Sequence, residues 1–459
     1  MRTNVAWRGL AAGLFAAVMM ATTGCERIRE DLLAADDPDI INPKTVTTAE
    51  AADALRIGAL ARFRSATAGG EGPWQDGGLL VDEWKSSNTF FQHNETDQRQ
   101  VQESNSVIQG MLRDVYRART NAREAILALE QYKPDPVANI GQMYFVIGFS
   151  ELMLAENFCN GTPLGDASTG APTYGPPLTN AEVYAIAVAH LDTALANSAG
   201  SDTLSVSVRH ASAIGKARAL LGLAKFTEAA AAVAAVPSTY QWRVTFSLTA
   251  GSNNLWSLNT SAKRFTVGDS FDVGGIITNA LPFASAGDPR IPVTGTSGGT
   301  SPAGKGFDTF TNFVFQRIWG RTDPAPVVSG LDARLIEAEV KLKVNNDIAG
   351  MVSTLNALRA TAQNLGAISS PVMTALQNPT NMDAATRLYF REKAFWTFGR
   401  GQRLPDLRRL VRQYGYTQDQ VFPTGQFFKG GNYAADVNLP VTVDELNNPD
   451  FKGCLDRKA

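Results

Sequence analysis

Residues 387–410 read RLYFREKAFWTFGRGQRLPDLRRL. In the first half, helical spacing lets Phe390, Ala394, Phe395 and Phe398 share one apolar face. Gly399 and Gly401 then stop the helix and permit positive φ, and a second helix resumes near Leu404. Arg403 stands three residues before Asp406, a spacing that suits a bidentate pair across the turn. Glu392 is available to Arg403 or Arg408, while Arg391 and Lys393 are expected to face solvent or a partner. Acid–base work by Glu392 and Asp406 would need a nucleophile or a positioned histidine, and neither is nearby. The reading is a structural ion network of Glu392, Arg403, Asp406 and Arg408, a lock between helices rather than a catalytic cluster.

The same helical period extends to both sides. Upstream, LDARLIEAEVKLK (331–343) and IAGMVSTLNALRA (348–360) are amphipathic, with a third helix over 384–398 and a fourth over 404–414. Near the start, Thr47 and Glu50 form a capping box before a helix running to Phe63. Further helices are expected over 107–131, closed by Pro134 and Pro136, and over 138–157. Thr179 and Glu182 cap another, and RHASAIGKARALLGLAKFTEAAAAVAAVP (209–237) gives two short Ala-rich helices broken near Lys225. Paired amphipathic helices with small residues at the crossings resemble tetratricopeptide units, in which each helix needs its neighbours to bury its stripe. Between 238 and 330 the chain turns rich in Gly, Ser, Thr, Asn and aromatics, with short strand-like runs such as RVTFSL and FVFQRIW. The expected fold is mostly α: one domain over 47–459, with a helical scaffold (47–237), a loop-rich insert (238–330) and C-terminal helices with a tail (331–459).

Three segments in this order, RLIEAEVKLKVNNDIAGMVSTLNALRATA (334–362), the stretch 387–410 and NLPVTVDELNNPDF (438–451), resemble the C-terminal half of SusD/RagB-family lipoproteins. The features that carry the likeness are an Ala-Glu helix, Asn356-x-x-Arg359, the G-x-R-x-x-D-L-x-R turn from Gly401 to Arg409, and the closing segment with Pro440, Glu445 and Asn448-Pro449. The resemblance implies an outer-membrane lipoprotein facing the cell exterior that binds oligosaccharide, or in some members peptide. It further implies delivery to a SusC-like TonB-dependent transporter, with no enzymatic activity.

The N-terminus fits that implication. Arg2 and Arg8 precede an apolar run from Gly9 to Ala21 that is too short to span a bilayer, followed by TTGC. This resembles a lipoprotein signal (1–24) with Cys25 as the lipidated residue, although Thr22 stands where such signals usually carry Leu. Residues 25–46 read as a tether. The remaining cysteines, Cys159 and Cys454, are disulfide candidates in an exported chain. With 42 Lys+Arg against 44 Asp+Glu, the net charge of −2 offers none of the basic excess on which nucleic-acid binding depends.

Several motifs fail. Gly295–Gly299 fits GxSxG around Ser297 but lacks the strand and helix a hydrolase elbow requires. Residues 299–306 approach a phosphate loop but place Gly306 where Ser or Thr should hold magnesium. His93, His190 and His210 lie far apart, so neither a metal site nor a cofactor is expected. Ligand contacts are expected where exposed aromatics adjoin amides and guanidinium groups, because sugar C–H faces stack on rings. Two zones qualify: 72–99, with Trp74, Trp84, Phe91 and Asn94, and the insert, with Trp256, Trp319 and Arg321. A periplasmic tetratricopeptide scaffold for envelope assembly and a hydrolase using Ser297 are the rival readings.

Overall fold

The computed structural model describes residues 46–170, 172–272, 274–295 and 304–459. The signal segment, the tether with Cys25, and Ser297 lie outside the described residues. No helix among the described residues is long and apolar enough to cross a membrane.

The scaffold begins with α1 (Ala49–Arg64). Its N-cap is Thr48, whose hydroxyl accepts from the Ala51 N–H at 3.2 Å; adjacent threonines both suit the position, and the helix starts one residue later than the spacing suggested. α2 (Ser106–Tyr132) is capped by Asn105 and buries Ile108, Met111, Leu112, Val115 and Ala122 at spacings of three and four. α3 (Ala138–Asn157) is buried on nearly every side, because it runs through the middle of the stack. α4 (Asn180–Ala196) carries the expected Thr179–Glu182 capping box. α5 (Thr203–Gly222), at twenty residues, is longer than the short Ala-rich helix expected, since Asp202 caps it well upstream. Ala224 takes a positive φ of 59° at the break before α6 (Phe226–Val233). The C-terminal helices are α7 (Gly330–Lys343), α8 (Ile348–Arg359), α9 (Met382–Trp396) and α10 (Arg403–Tyr414). Successive helices from α1 to α8 pack on one another in chain order, the pattern of a helix-pair stack.

Among its described residues the insert contributes short antiparallel pairs and the short helix Asn254–Trp256. Trp84–Ser86 pairs with Phe265–Val267, Gln241–Val244 with Ala325–Ser329, and Val293–Thr294 with Phe315–Gln316. Cys159, two residues past α3, is bonded to Cys454, a separation of 295 residues. Two bridges, Phe158 with Leu439 and Asn160 with Asp456, seat the tail on the same segment.

From Tyr389 to Leu410 the stretch is buried except for half-buried Arg391, with Arg387 exposed at its start, and its pairings differ from the expected ones. Arg403 turns away from Asp406 and grips Asp82 with two bonds of 2.7 and 2.8 Å. Asp406 instead holds Lys393 at 2.6 Å, so Lys393 is buried rather than facing solvent. Glu392 takes Arg290 at 2.8 Å and Arg359 at 3.0 Å, not Arg403 or Arg408. Among the described residues Arg408 meets no carboxylate; it donates to the carbonyls of Ala155 and Glu156 at 3.0 and 2.7 Å, in the last turn of α3 whose carbonyls lack helical partners. The physical reason is reach: the best-placed partners come from segments up to 321 residues away, beyond any local spacing rule.

Candidate binding face

Trp74, Trp84 and Trp319, expected in loops that meet ligand, are instead buried at 1, 1 and 3% exposure. They converge on the glycine turn of the lock. Gly399 and Gly401 adopt φ of 67° and 66°. A Cβ on Gly399 would lie 3.1 Å from the Trp319 ring and 3.3 Å from that of Trp84, and one on Gly401 would run into Trp74. Only a bare backbone lets three indoles approach so closely, so these tryptophans are core. Trp256 is half buried in the short helix Asn254–Trp256. Arg321 is exposed, with its Nε 3.2 Å from Ser252 Oγ. No hydrogen bond or ring contact among the described residues joins either to the face built below.

That face grows from the strand pair Trp84–Ser86 and Phe265–Val267. The Ser87 N–H donates to the Arg264 carbonyl at 2.8 Å, carrying the pairing one step further. A hairpin, closed by the bridge between Lys305 and Asn312, docks on both strands. The Phe307 N–H donates to the Lys263 carbonyl at 2.8 Å and the Asp308 N–H to the Ser87 carbonyl at 3.0 Å. The Asp308 carboxylate accepts from the Phe310 and Thr311 N–H groups and lies 2.8 Å from the Lys429 ammonium. Burial would raise its pKa, but Lys429 and Thr311 outweigh burial and hold the carboxyl below its usual range.

The Arg264 guanidinium lies between two rings, 4.7 Å from the Phe90 centroid and 4.2 Å from that of Phe307. Its Nη1 donates to Asn88 Oδ1 at 2.7 Å. The Asn88 amide in turn meets His93 Nδ1 at 2.7 Å, and His93 stacks behind Phe90 at 6.0 Å and contacts Glu71 at 3.1 Å through Nε2. Lys429 also donates to the Asn88 carbonyl and to Asn94 Oδ1, both at 2.8 Å. Phe90, Phe91, Phe307 and Phe310 are thereby held outward at 50, 68, 47 and 51% exposure. A cluster of exposed phenylalanines fixed by buried polar groups marks an interaction surface. Phe91 and Asn94, expected as ligand contacts, lie on this face. Arg264, Phe307, Phe310 and Lys429 were not anticipated; a signal for the two phenylalanines lay in GKGFDTFTNF (304–313), where a Gly-rich turn carries phenylalanines at short intervals.

Beneath the face lies a layer of buried acids. Burial pushes Asp97 up to about 7, against a hydrogen bond from the Ser86 N–H and the nearby Lys85. Burial likewise pushes Glu83 up to about 8, although the Gly399 N–H donates to it. Among the described residues no three His, Cys, Asp or Glu groups are arranged to hold a metal ion.

No protein-family model matches the chain, and no curated protein matches it. Solved structures do. A SusD superfamily protein from Bacteroides thetaiotaomicron VPI-5482 aligns at a TM-score of 0.60 with 12% identity, covering 90% of this chain and 99% of that one. One from Bacteroides vulgatus ATCC 8482 aligns at 0.59 with 15% identity, covering 90% and 100%. Another from the same organism, provisionally named as sugar binding, aligns at 0.59 with 12% identity, covering 90% and 99%. With its helix-pair stack, irregular insert and sealed C-terminal helices, the chain adopts the fold of the SusD superfamily over nearly all of its length.

Proposed function

We propose that this chain is a lipid-anchored binding protein of the outer membrane that faces the cell exterior. It captures an oligosaccharide on the Phe90–Arg264–Phe307 face and hands it to a SusC-like TonB-dependent transporter. The observation that carries the reading is an outward aromatic face, organised by buried polar groups, on a SusD-like scaffold. Sugar C–H patches stack on phenyl faces, while Arg264 and the Asn94 amide offer polar groups to hydroxyls. Binding is passive, and the chain transforms nothing. Further support comes from the lipoprotein-like signal ending at Cys25 and from the structural neighbour provisionally named as sugar binding.

The test uses the mature chain with Cys25→Ala, titrated against a glycan array and a peptide library. Glycan binding that Phe90→Ala plus Phe307→Ala abolishes supports the reading. Peptide binding at the same residues moves the protein to the RagB-type alternative. Silence on both arrays from folded protein sinks both. Protease shaving of intact cells tests orientation, since an envelope-assembly scaffold facing the periplasm stays uncut. Co-purification with an outer-membrane barrel tests the partner.

A further inference from the structure

We infer that this face selects an acidic oligosaccharide, one bearing uronic-acid carboxylates; the inference rests on the glycan-binding reading above. Elsewhere in the molecule many buried cations meet carboxylates, as Arg119 does Glu151, Arg218 Glu156, Arg290 Glu392, Arg400 Asp332 and Arg403 Asp82, while Arg99 and Arg408 are met by backbone carbonyls. On the face the cations are exposed or half-buried, and apart from Lys429 their partners are neutral. Arg264 spends a hydrogen bond on the neutral Asn88 amide. Lys305 donates to the Phe310 carbonyl and Asn312 Oδ1, at 3.0 and 2.7 Å. Arg317 donates to Thr294 Oγ1 at 2.8 Å. Lys263 and Arg317 flank the Phe315 ring at 5.6 and 5.4 Å. Among the described residues none of these four cations has a carboxylate within ion-pair distance. The acids close by are already engaged: Asp308 with Lys429, Asp272 with Lys85, and Glu71 with His93.

In a chain with slightly more acids than bases, four such cations among phenylalanines form a local positive field, which raises the encounter rate and affinity of an anion. Arg264 adds geometry. Two rings fix the plane of its guanidinium, and with Nη1 used on Asn88 the remaining N–H groups present a fork suited to a planar carboxylate. A uronic acid carries its carboxylate and an apolar C–H face on one rigid ring, so a single residue can meet Phe307 or Phe90 and Arg264 together. An acidic peptide separates the two on flexible side chains, which is why the sugar is favoured.

The experiment is calorimetric titration of the mature Cys25→Ala chain. The probes are oligogalacturonides, alginate oligosaccharides and glucuronate-containing fragments, each beside its carboxyl-reduced neutral counterpart, with Asp/Glu-rich peptides alongside. At least one acidic probe binds tenfold or more tightly than its reduced form, and the preference shrinks as salt rises. Arg264→Gln weakens the acidic probe by about ten- to hundredfold and leaves the neutral one nearly unchanged. Arg264→Lys recovers only part of the loss, because it lacks the fork. Lys263→Gln with Lys305→Gln, both exposed and tolerant of exchange, removes part of the salt dependence. Equal binding of an acidic probe and its reduced form, or binding of neutral glycans alone, overturns the inference while leaving the glycan reading in place. Binding of acidic peptides with no glycan bound overturns both.

Discussion

Two parts of this molecule are built from arginine and aromatic rings, and they met opposite fates. Around the turn 399–401, guanidinium groups and indoles are sealed: Arg403 grips Asp82, Arg400 grips Asp332 at 2.6 Å, and three tryptophans close on two glycines. Around Arg264 the same chemistry lies open, with rings at half exposure and a neutral amide as the guanidinium's partner. Arginine beside aromatics therefore does not mark a site. What decides is whether the fold itself meets the guanidinium: where carboxylates, or for Arg408 the helix-end carbonyls, take its donors inside, the cluster becomes a fastening, and where it stays at the surface the cluster is left for something else to complete.

The comparison can be broken most sharply by Arg403→Ala. It leaves Asp82 buried without its partner, which costs about 3–5 kcal/mol, whereas Arg264→Ala removes no buried ion pair and costs about 1 kcal/mol or less. Urea denaturation of the two variants reads the difference; similar midpoints would erase the distinction. Next in size is Cys454→Ser. Opening so long a covalent loop lowers stability by about 2–4 kcal/mol, read by the same denaturation, with no change in ligand affinity at the face.

The pH dependence sharpens the contrast further, because the acids that carry it are buried, behind the face or beside the glycine turn, whereas the rings and cations of the face are open. Burial raises Glu83 from 4.5 to about 8, and Asp76 and Asp97 from 3.8 to about 7. A carboxyl with a raised folded pKa holds its proton where the unfolded chain has lost it. Its stabilisation is complete below the unfolded value and disappears as pH climbs through the folded one. The protein accordingly melts lower at pH 9 than at pH 6, by on the order of 5 °C, and Glu83→Gln flattens the slope. Smallest of all is Phe91→Ala: at 68% exposure the ring contributes little to folding, and stability stays within about 0.5 kcal/mol of the parent. Ligand affinity, measured by calorimetry, falls.

The helical scaffold was legible because its signals are local: three- and four-residue spacing in Ile108 to Val115, the Thr179–Glu182 box, and the break near Lys225 all lie within a few residues. The disulfide candidates could be named by elimination of Cys25. The lock was legible as a lock, yet its pairs were not, since Asp82, Arg290 and the end of α3 reach it from distant parts of the chain. The same non-locality hid the fate of Trp74, Trp84 and Trp319, whose burial depends on a glycine turn far downstream. For the face, the zone containing Phe91 and Asn94 could be read from its mixture of aromatics and amides. Arg264 could not, because only the docking of the 305–312 hairpin turns an ordinary basic residue into the centre of a ring sandwich.

The placement of the indoles also shapes what light can report. Trp74, Trp84, Trp319 and Trp396 are all interior, while the outward rings are phenylalanines. Fluorescence excited at the indole band would thus follow unfolding of the glycine-turn region faithfully and remain almost blind to cargo settling on the outer surface, so a flat emission trace on titration would say nothing about occupancy.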